Sequence, residues 1–250
     1  MRITTHRVGA HDATLTCYVQ DRSDELRNTR TRPLVLVLPG GGYFYTSDRE
    51  AEPVALAYLA QGFNAAVLRY AAGTDTPFDR SLADGRAGLA WLREHAADLD
   101  ADPERIAVVG FSAGGHLAGC LGTSGEERPA ALVLGYPVTL GEVGPRLGKQ
   151  LPDVTEAVDA RTPPTFLFST VGDEIVPIRH SLALLTALAD AGVPFESHVY
   201  LTGGHGLSLA GTHTSDGRPE MVEGAVAAWF PDSVRFLRHV LGDFPLGDAD

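Results

Sequence analysis

A serine framed by glycines, Gly110-Phe111-Ser112-Ala113-Gly114, follows the apolar run Ile106-Ala107-Val108-Val109 and leads into a helix-compatible stretch. A turn this tight between strand and helix thrusts the Ser112 Oγ outward, where it can act as a nucleophile. A Cβ at Gly110 or Gly114 would strike the facing backbone. The Ala113 N–H then lies at a helix N-terminus, which favours negative charge. A hydroxyl is a weak nucleophile at neutral pH and needs a base, and the base needs an orienting acid. His205 stands among glycines in Gly203-Gly204-His205-Gly206, whose freedom can turn an imidazole inward. An imidazole titrates near neutrality, so it can take the serine proton and return it to a leaving alcohol. Asp173, with Glu174 as a rival beside it, can fix the imidazole tautomer and stabilise the imidazolium. Pro39-Gly40-Gly41-Gly42-Tyr43 offers further backbone donors. The N–H groups of Gly41, Gly42 and Ala113 are thus the predicted stabilisers of a tetrahedral oxyanion, each typically worth about 3 kcal/mol of barrier.

Each of these residues stands just beyond a predicted strand. Alternation or continuous apolarity predicts strands over 13–20, 34–38, 64–70, 106–109, 130–136, 165–170 and 195–201. Helical spacing predicts helices over 51–61, 79–99, from 113 onward, over 178–191 and over 220–241, with Pro231 opening a second helix in the last. Strands alternating with helices predict an α/β fold: a mostly parallel sheet with helices on both faces, in one domain over 1–250. Ligands of such sheets bind beyond the carboxyl ends of the strands. That rule brings Gly41, Gly42, Ser112, Asp173 and His205 to one edge. Residues 138–163 lack periodicity and read as a short rim insertion.

Other titratable residues read as structural. His116 lies one turn past Ser112 and is expected in the core or behind the site. His180 is expected on the surface, and nothing supports a role for His213 in its polar loop. Tyr43, Phe44, Tyr45 and Phe78 are candidates for pocket lining. No His, Cys, Asp or Glu grouping has metal-ligand spacing, and no glycine motif of the nucleotide-binding kind opens a helix, so neither metal nor cofactor is expected.

Composition narrows the partners. The chain of 250 residues has a formal net charge of −12 with no basic block, which argues against nucleic acid and anionic membranes. No apolar run approaches a membrane span. The N-terminus lacks the apolar core of a signal peptide. Cys17 and Cys120 are far apart in sequence and are expected as buried free thiols, so a cytoplasmic location is expected.

The motifs around Gly40, Ser112, Asp173 and His205, with Gly172-Asp173-Glu174-Ile175-Val176-Pro177 and Gly203-Gly204-His205-Gly206-Leu207, together resemble an α/β-hydrolase. More narrowly they resemble small carboxylesterases related to acetylxylan esterases and the hormone-sensitive-lipase group. The likeness runs from about residue 33 to 240. It implies a Ser112–Asp173–His205 triad, because Asp-x-x-Val-Pro fits Asp173 rather than Glu174. It also implies an oxyanion hole from Gly41, Gly42 and Ala113, and deacylation of small esters, often acetylated sugars. Pro39 stands where hormone-sensitive-lipase relatives carry His, and the segment between 136 and 165 is shorter than in acetylesterase relatives. The expected activity is hydrolysis of short-chain carboxylic esters, with a small-molecule ester as partner. An amidase, arylformamidase or peptidase using the same triad, and a non-catalytic binding protein, are the alternatives.

Overall fold

The computed structural model describes residues 1–10 and 13–246. Eight strands form one sheet: β1 Arg2–Val8, β2 Ala13–Val19, β3 Arg32–Leu38, β4 Asn64–Arg69, β5 Ala101–Phe111, β6 Ala131–Gly135, β7 Thr165–Thr170 and β8 Phe195–Tyr200. Their spatial order is β1-β2-β4-β3-β5-β6-β7-β8. The first two pairings, β1 with β2 and β2 with β4, are antiparallel, and the rest are parallel. The helices are α1 Glu52–Ala60, α2 Phe78–Glu94, α3 Ala113–Thr123, α4 Arg179–Asp190, the single turn α5 Gly224–Ala227, and α6 Trp229–Leu241.

The expected strands are all present, and the mostly parallel α/β architecture follows from what the strands bury. Leu34 to Leu38 in β3 are wholly buried on both faces, as interior parallel strands must be. Their alternation splits the core. Leu34, Leu36 and Leu38 pack with Leu89 of α2, Leu117 of α3 and Leu184 of α4 on one side. Val35 and Val37 pack with Tyr58 of α1 and Leu237 of α6 on the other.

Three expectations about the elements change. β1 was not expected, because most of its residues are exposed and carry no alternation; its ladder with β2 forms it. The helix predicted to 99 stops at Glu94, where the His95 ring stacks on Trp91 at 4.1 Å and Nδ1 lies 2.9 Å from the Trp91 carbonyl oxygen. The His95 N–H still donates to that carbonyl at 3.0 Å, and beyond it the chain tightens, with the Ala96 N–H donating to Arg93 O at 3.3 Å. The stretch predicted over 220–241 holds two helices, as Pro231 implied, but residues 219–221 form only a 3-10 turn, the first helix is the single turn from Gly224, and the second starts at Trp229 with Pro231 inside its first turn, where its missing N–H is harmless. In β5, Ala101 pairs with Arg32 and Ile106 with Leu34, so residues 102–105 bulge out of the ladder within the strand that leads to Ser112.

Candidate active site

Strands β3, β5, β6, β7 and β8 lie side by side, and the loops at their carboxyl ends carry the site. β5 ends at Phe111, and Ser112 takes φ 53° and ψ −117°, a conformation that strains any residue with a Cβ. The turn is held by its backbone: Ser112 N–H donates to Gly135 O at 3.0 Å, while Ser112 O accepts from His116 N–H at 3.0 Å and from Val138 N–H at 3.2 Å. Close approach explains Gly114, where a Cβ would lie 2.1 Å from the Leu38 carbonyl oxygen.

Ser112 Oγ lies 2.8 Å from His205 Nε2. His205 Nδ1 lies 2.7 Å from Asp173 Oδ2. The Asp173 side chain is 1% exposed and its other oxygen accepts the N–H groups of Ile175 and Val176, both at 2.9 Å. A carboxylate so pinned fixes Nδ1 as the protonated nitrogen and leaves Nε2 free to accept the Ser112 proton. Glu174 is exposed and borders the pocket beside Ser112. The edge of Tyr136 packs on His205, with ring centroids 5.0 Å apart.

Gly41, Gly42 and Tyr43 follow one another with φ of 129°, 63° and 64°. Glycine is favoured at the first two, and a Cβ at Gly41 would meet Tyr45 O at 2.1 Å. Gly42, Ser112 and Ala113 border one pocket, and Gly41, Gly42, Ser112 and His205 border a second. Gly41, Gly42, Ala113 and His205 thus border the pockets that also contain Ser112, and Asp173 adjoins the far side of His205.

The two pockets differ in chemistry. One has a volume of about 260 Å³ and is walled mainly by apolar side chains, Val138, Val143, Leu147, Ile175 and Val176, with Arg146 and Glu174 also bordering it. Val138, Val143 and Val176 form a small apolar cluster of their own, so the rim insertion 138–163 builds a wall rather than a loose edge. The other, of about 350 Å³, contains His205 and is bordered by Ser47, Arg49, Glu50 and Arg218. A larger cavity of about 640 Å³ between residues 74–82 and 148–152 contains none of the site residues. Beside it Lys149, 7% exposed, straps the rim down by donating to the carbonyls of Gly73, Thr74 and Thr76 at 2.7 to 3.3 Å.

Of the aromatic candidates, Tyr45 borders the polar pocket, whereas Tyr43 and Phe78 are buried against His116. His116 is fully buried, as expected. His180 is not on the surface as the sequence suggested: it is fully buried, and its Nδ1 accepts the N–H groups of Thr139 and Leu140 at 3.1 and 3.2 Å. Burial holds its pKa below the ordinary value. The rim needs an acceptor where it leaves β6, and a histidine two residues into α4 supplies it. Among the described residues no group of His, Cys, Asp and Glu could hold a metal ion. Also among these residues, no helix is long and apolar enough to cross a membrane.

A deep-sea metagenomic enzyme, the α/β-hydrolase MGS-M1, has a solved structure that superposes with a TM-score of 0.91; it is 45% identical and the match covers 96% of this chain and 98% of that one. The chain belongs to the α/β-hydrolase family. Residues 24–138 of this α/β-hydrolase match the BD-FAE family, and residues 149–223 match the prolyl oligopeptidase family. Among curated proteins it is similar to carboxylesterase NlhH of Mycobacterium tuberculosis, 34% identical over 51% of this chain and 40% of that protein. It is also similar to the acetylxylan esterase of Xylanibacter ruminicola, 28% identical over 70% of this chain and 41% of that protein. The chain thus spans about two fifths of the length of these curated relatives. The resemblance to carboxylesterases and acetylxylan esterases read from the motifs holds.

Proposed function

We propose that this chain is a serine esterase that hydrolyses short-chain carboxylic esters through an acyl-enzyme. Ser112 Oγ attacks the ester carbonyl as His205 Nε2 takes its proton. His205 then returns that proton to the departing alcohol, and Asp173 stabilises the imidazolium between the two steps. The N–H groups of Gly41, Gly42 and Ala113 receive the oxyanion. Water repeats the sequence on the acyl-enzyme, releasing the acid and restoring Ser112. The observation that carries this reading is the continuous relay of 2.8 Å and 2.7 Å from Ser112 through His205 to Asp173.

The polarity of the two pockets supports an assignment of the substrate's halves. The alcohol must lie where His205 can protonate it, and the pocket containing His205 is the polar one. The acyl group then enters the apolar pocket behind Val138 and Val143. A polar alcohol such as a partly acetylated sugar suits that division, as do the names of the relatives. The partner is a small ester rather than nucleic acid or membrane, in keeping with the net charge of −12. Two buried free thiols, Cys17 and Cys120, with pKa values pushed up to about 12 by burial, fit a reducing cytoplasm.

Hydrolysis of p-nitrophenyl acetate, butyrate and octanoate by the protein and by Ser112→Ala tests the reading. Fast turnover of the shorter esters, abolished in the variant, is expected; equal turnover by both proteins would overturn it. The match of residues 149–223 to the prolyl oligopeptidase family favours an amidase as the second reading. Amide turnover exceeding ester turnover on matched substrates would select it.

A further inference from the structure

Glu50 is a carboxylate buried to 3% exposure beside the active serine, in a charged stretch whose neighbour Asp48 projects into solvent with 93% side-chain exposure. Burying a charge is unfavourable unless its lone pairs are matched. Both oxygens of Glu50 are matched, and by informative partners. Oε2 accepts the Gly40 N–H at 2.8 Å, at the start of the loop that presents Gly41 and Gly42. Oε1 accepts the Tyr136 hydroxyl at 2.6 Å. Tyr136 Oη in turn accepts the Ser208 N–H at 2.9 Å, and its ring lies edge-on to His205. The adjacent residue works on the same loop: Arg49 Nη2 donates to Gly206 O at 2.7 Å, and Arg49 O accepts from Ser208 Oγ at 2.6 Å.

The Arg49-Glu50 dipeptide therefore ties together two loops that are far apart in sequence and flank Ser112 on either side. We propose that Glu50 is a positioning residue for the esterase reaction: its carboxylate holds the oxyanion loop at Gly40 and, through Tyr136, the His205 loop in one fixed arrangement. This rests on the esterase reading above. A carboxylate suits the task because it accepts in two directions at once. Glutamine has one acceptor oxygen and would present an amide donor to the other partner, so it keeps one tether at best. Alanine keeps neither.

Because the donors set by Gly40 act on the oxyanion, loss of the tether falls on kcat rather than on KM. The experiment compares the native protein, Glu50→Gln, Glu50→Ala, Tyr136→Phe and the Glu50→Ala/Tyr136→Phe double variant. The readouts are kcat and KM on p-nitrophenyl acetate, inhibition by an alkylboronic acid that forms a tetrahedral adduct at serine, and thermal unfolding. Glu50→Ala is expected to lower kcat about a hundredfold, the scale of losing one oxyanion donor. KM should stay within about threefold, and boronate affinity should fall with kcat. Glu50→Gln should lie between alanine and the native protein. The double variant should be less impaired than the product of the single effects, because the residues act as one unit. An alanine variant with kcat within about twofold of the native value, whatever its melting temperature, would overturn the proposal, as would a rise in KM alone. Should Glu50→Ala prove unable to fold, the same kcat test falls on Tyr136→Phe and Glu50→Gln, with the same outcomes decisive. Failure of the esterase reading itself shows differently, as activity that survives Ser112→Ala.

Discussion

The Tyr43 hydroxyl lies 2.8 Å from His116 Nδ1, joining the glycine loop of Gly40, Gly41 and Gly42 to the helix that follows Ser112. His116 Nε2 lies 2.9 Å from the Pro152 carbonyl oxygen, which can only accept, so Nε2 carries the proton and Nδ1 receives the tyrosine hydrogen. Tyr43 needs such an anchor because its φ of 64° is strained for a residue with a Cβ. Three parts of the candidate site converge on this one imidazole: the glycine loop, the helix after Ser112 and the rim.

Stability should depend on the His116 imidazole staying neutral. Burial lowers its pKa from 6.5 to about 4. As pH falls below about 6.5, the unfolded chain takes up a proton here that the folded chain refuses until about pH 4, so stability is full above this window and is lost through it. Between about pH 7.5 and about pH 5 this linkage amounts to roughly 2 kcal/mol. Urea unfolding at the two pH values should show that loss in the native protein and a smaller one in His116→Phe. That variant should also be less stable at neutral pH by about 3 kcal/mol, since Tyr43 Oη and Pro152 O lose their partner.

Asp173→Asn should leave the fold intact and lower kcat by about four orders of magnitude, because an amide at this position favours the wrong histidine tautomer. Glu174→Gln, on an exposed neighbour, should change kcat on p-nitrophenyl acetate less than about twofold. Steady-state kinetics of the pair separates the two acids that adjoin in the sequence.

The apolar pocket should set chain length. Val143→Ala and Leu147→Ala enlarge the wall contributed by the rim. Both should shift the ratio of octanoate to acetate hydrolysis upward by about fivefold, on the scale of one or two methylene contacts. An unchanged ratio would move the acyl group out of this pocket.

Arg218 borders the polar pocket on the side of His205 and is exposed. Arg218→Gln should weaken hydrolysis of acetylated sugars through KM by about threefold to tenfold while leaving p-nitrophenyl acetate unaffected. Parallel kinetics on acetylated xylose and p-nitrophenyl acetate checks this.

Much of this was legible in the sequence because the chemistry lies at strand ends, where apolar runs give way to glycine. Ser112 and Asp173 each follow a run that only a buried strand explains, His205 follows the partly exposed edge strand β8, and the glycines mark where the backbone must turn. What escaped had no local signal. β1 is an exposed edge whose pairing with β2 supplies what its pattern lacks. His180 resembles any polar residue at a helix start until the rim's Thr139 and Leu140 N–H groups are placed over it. Glu50 lies in the run Ser47-Asp48-Arg49-Glu50, which reads as solvated charge, and its partners Gly40 and Tyr136 come from two different strand ends. Contacts of that kind are fixed by the tertiary fold and leave no periodicity along the chain.

Covalent trapping of the nucleophile tests the central claim most directly. The protein and its Ser112→Ala variant are treated with an alkyl fluorophosphonate, which phosphonylates an activated serine, and the modified peptides are read by mass spectrometry. A single adduct on the peptide containing Ser112, absent from Ser112→Ala and formed far more slowly in Asp173→Asn, is expected together with loss of esterase activity. Ester hydrolysis that continues in a protein fully modified at Ser112, or an adduct confined to another serine, would contradict the assignment.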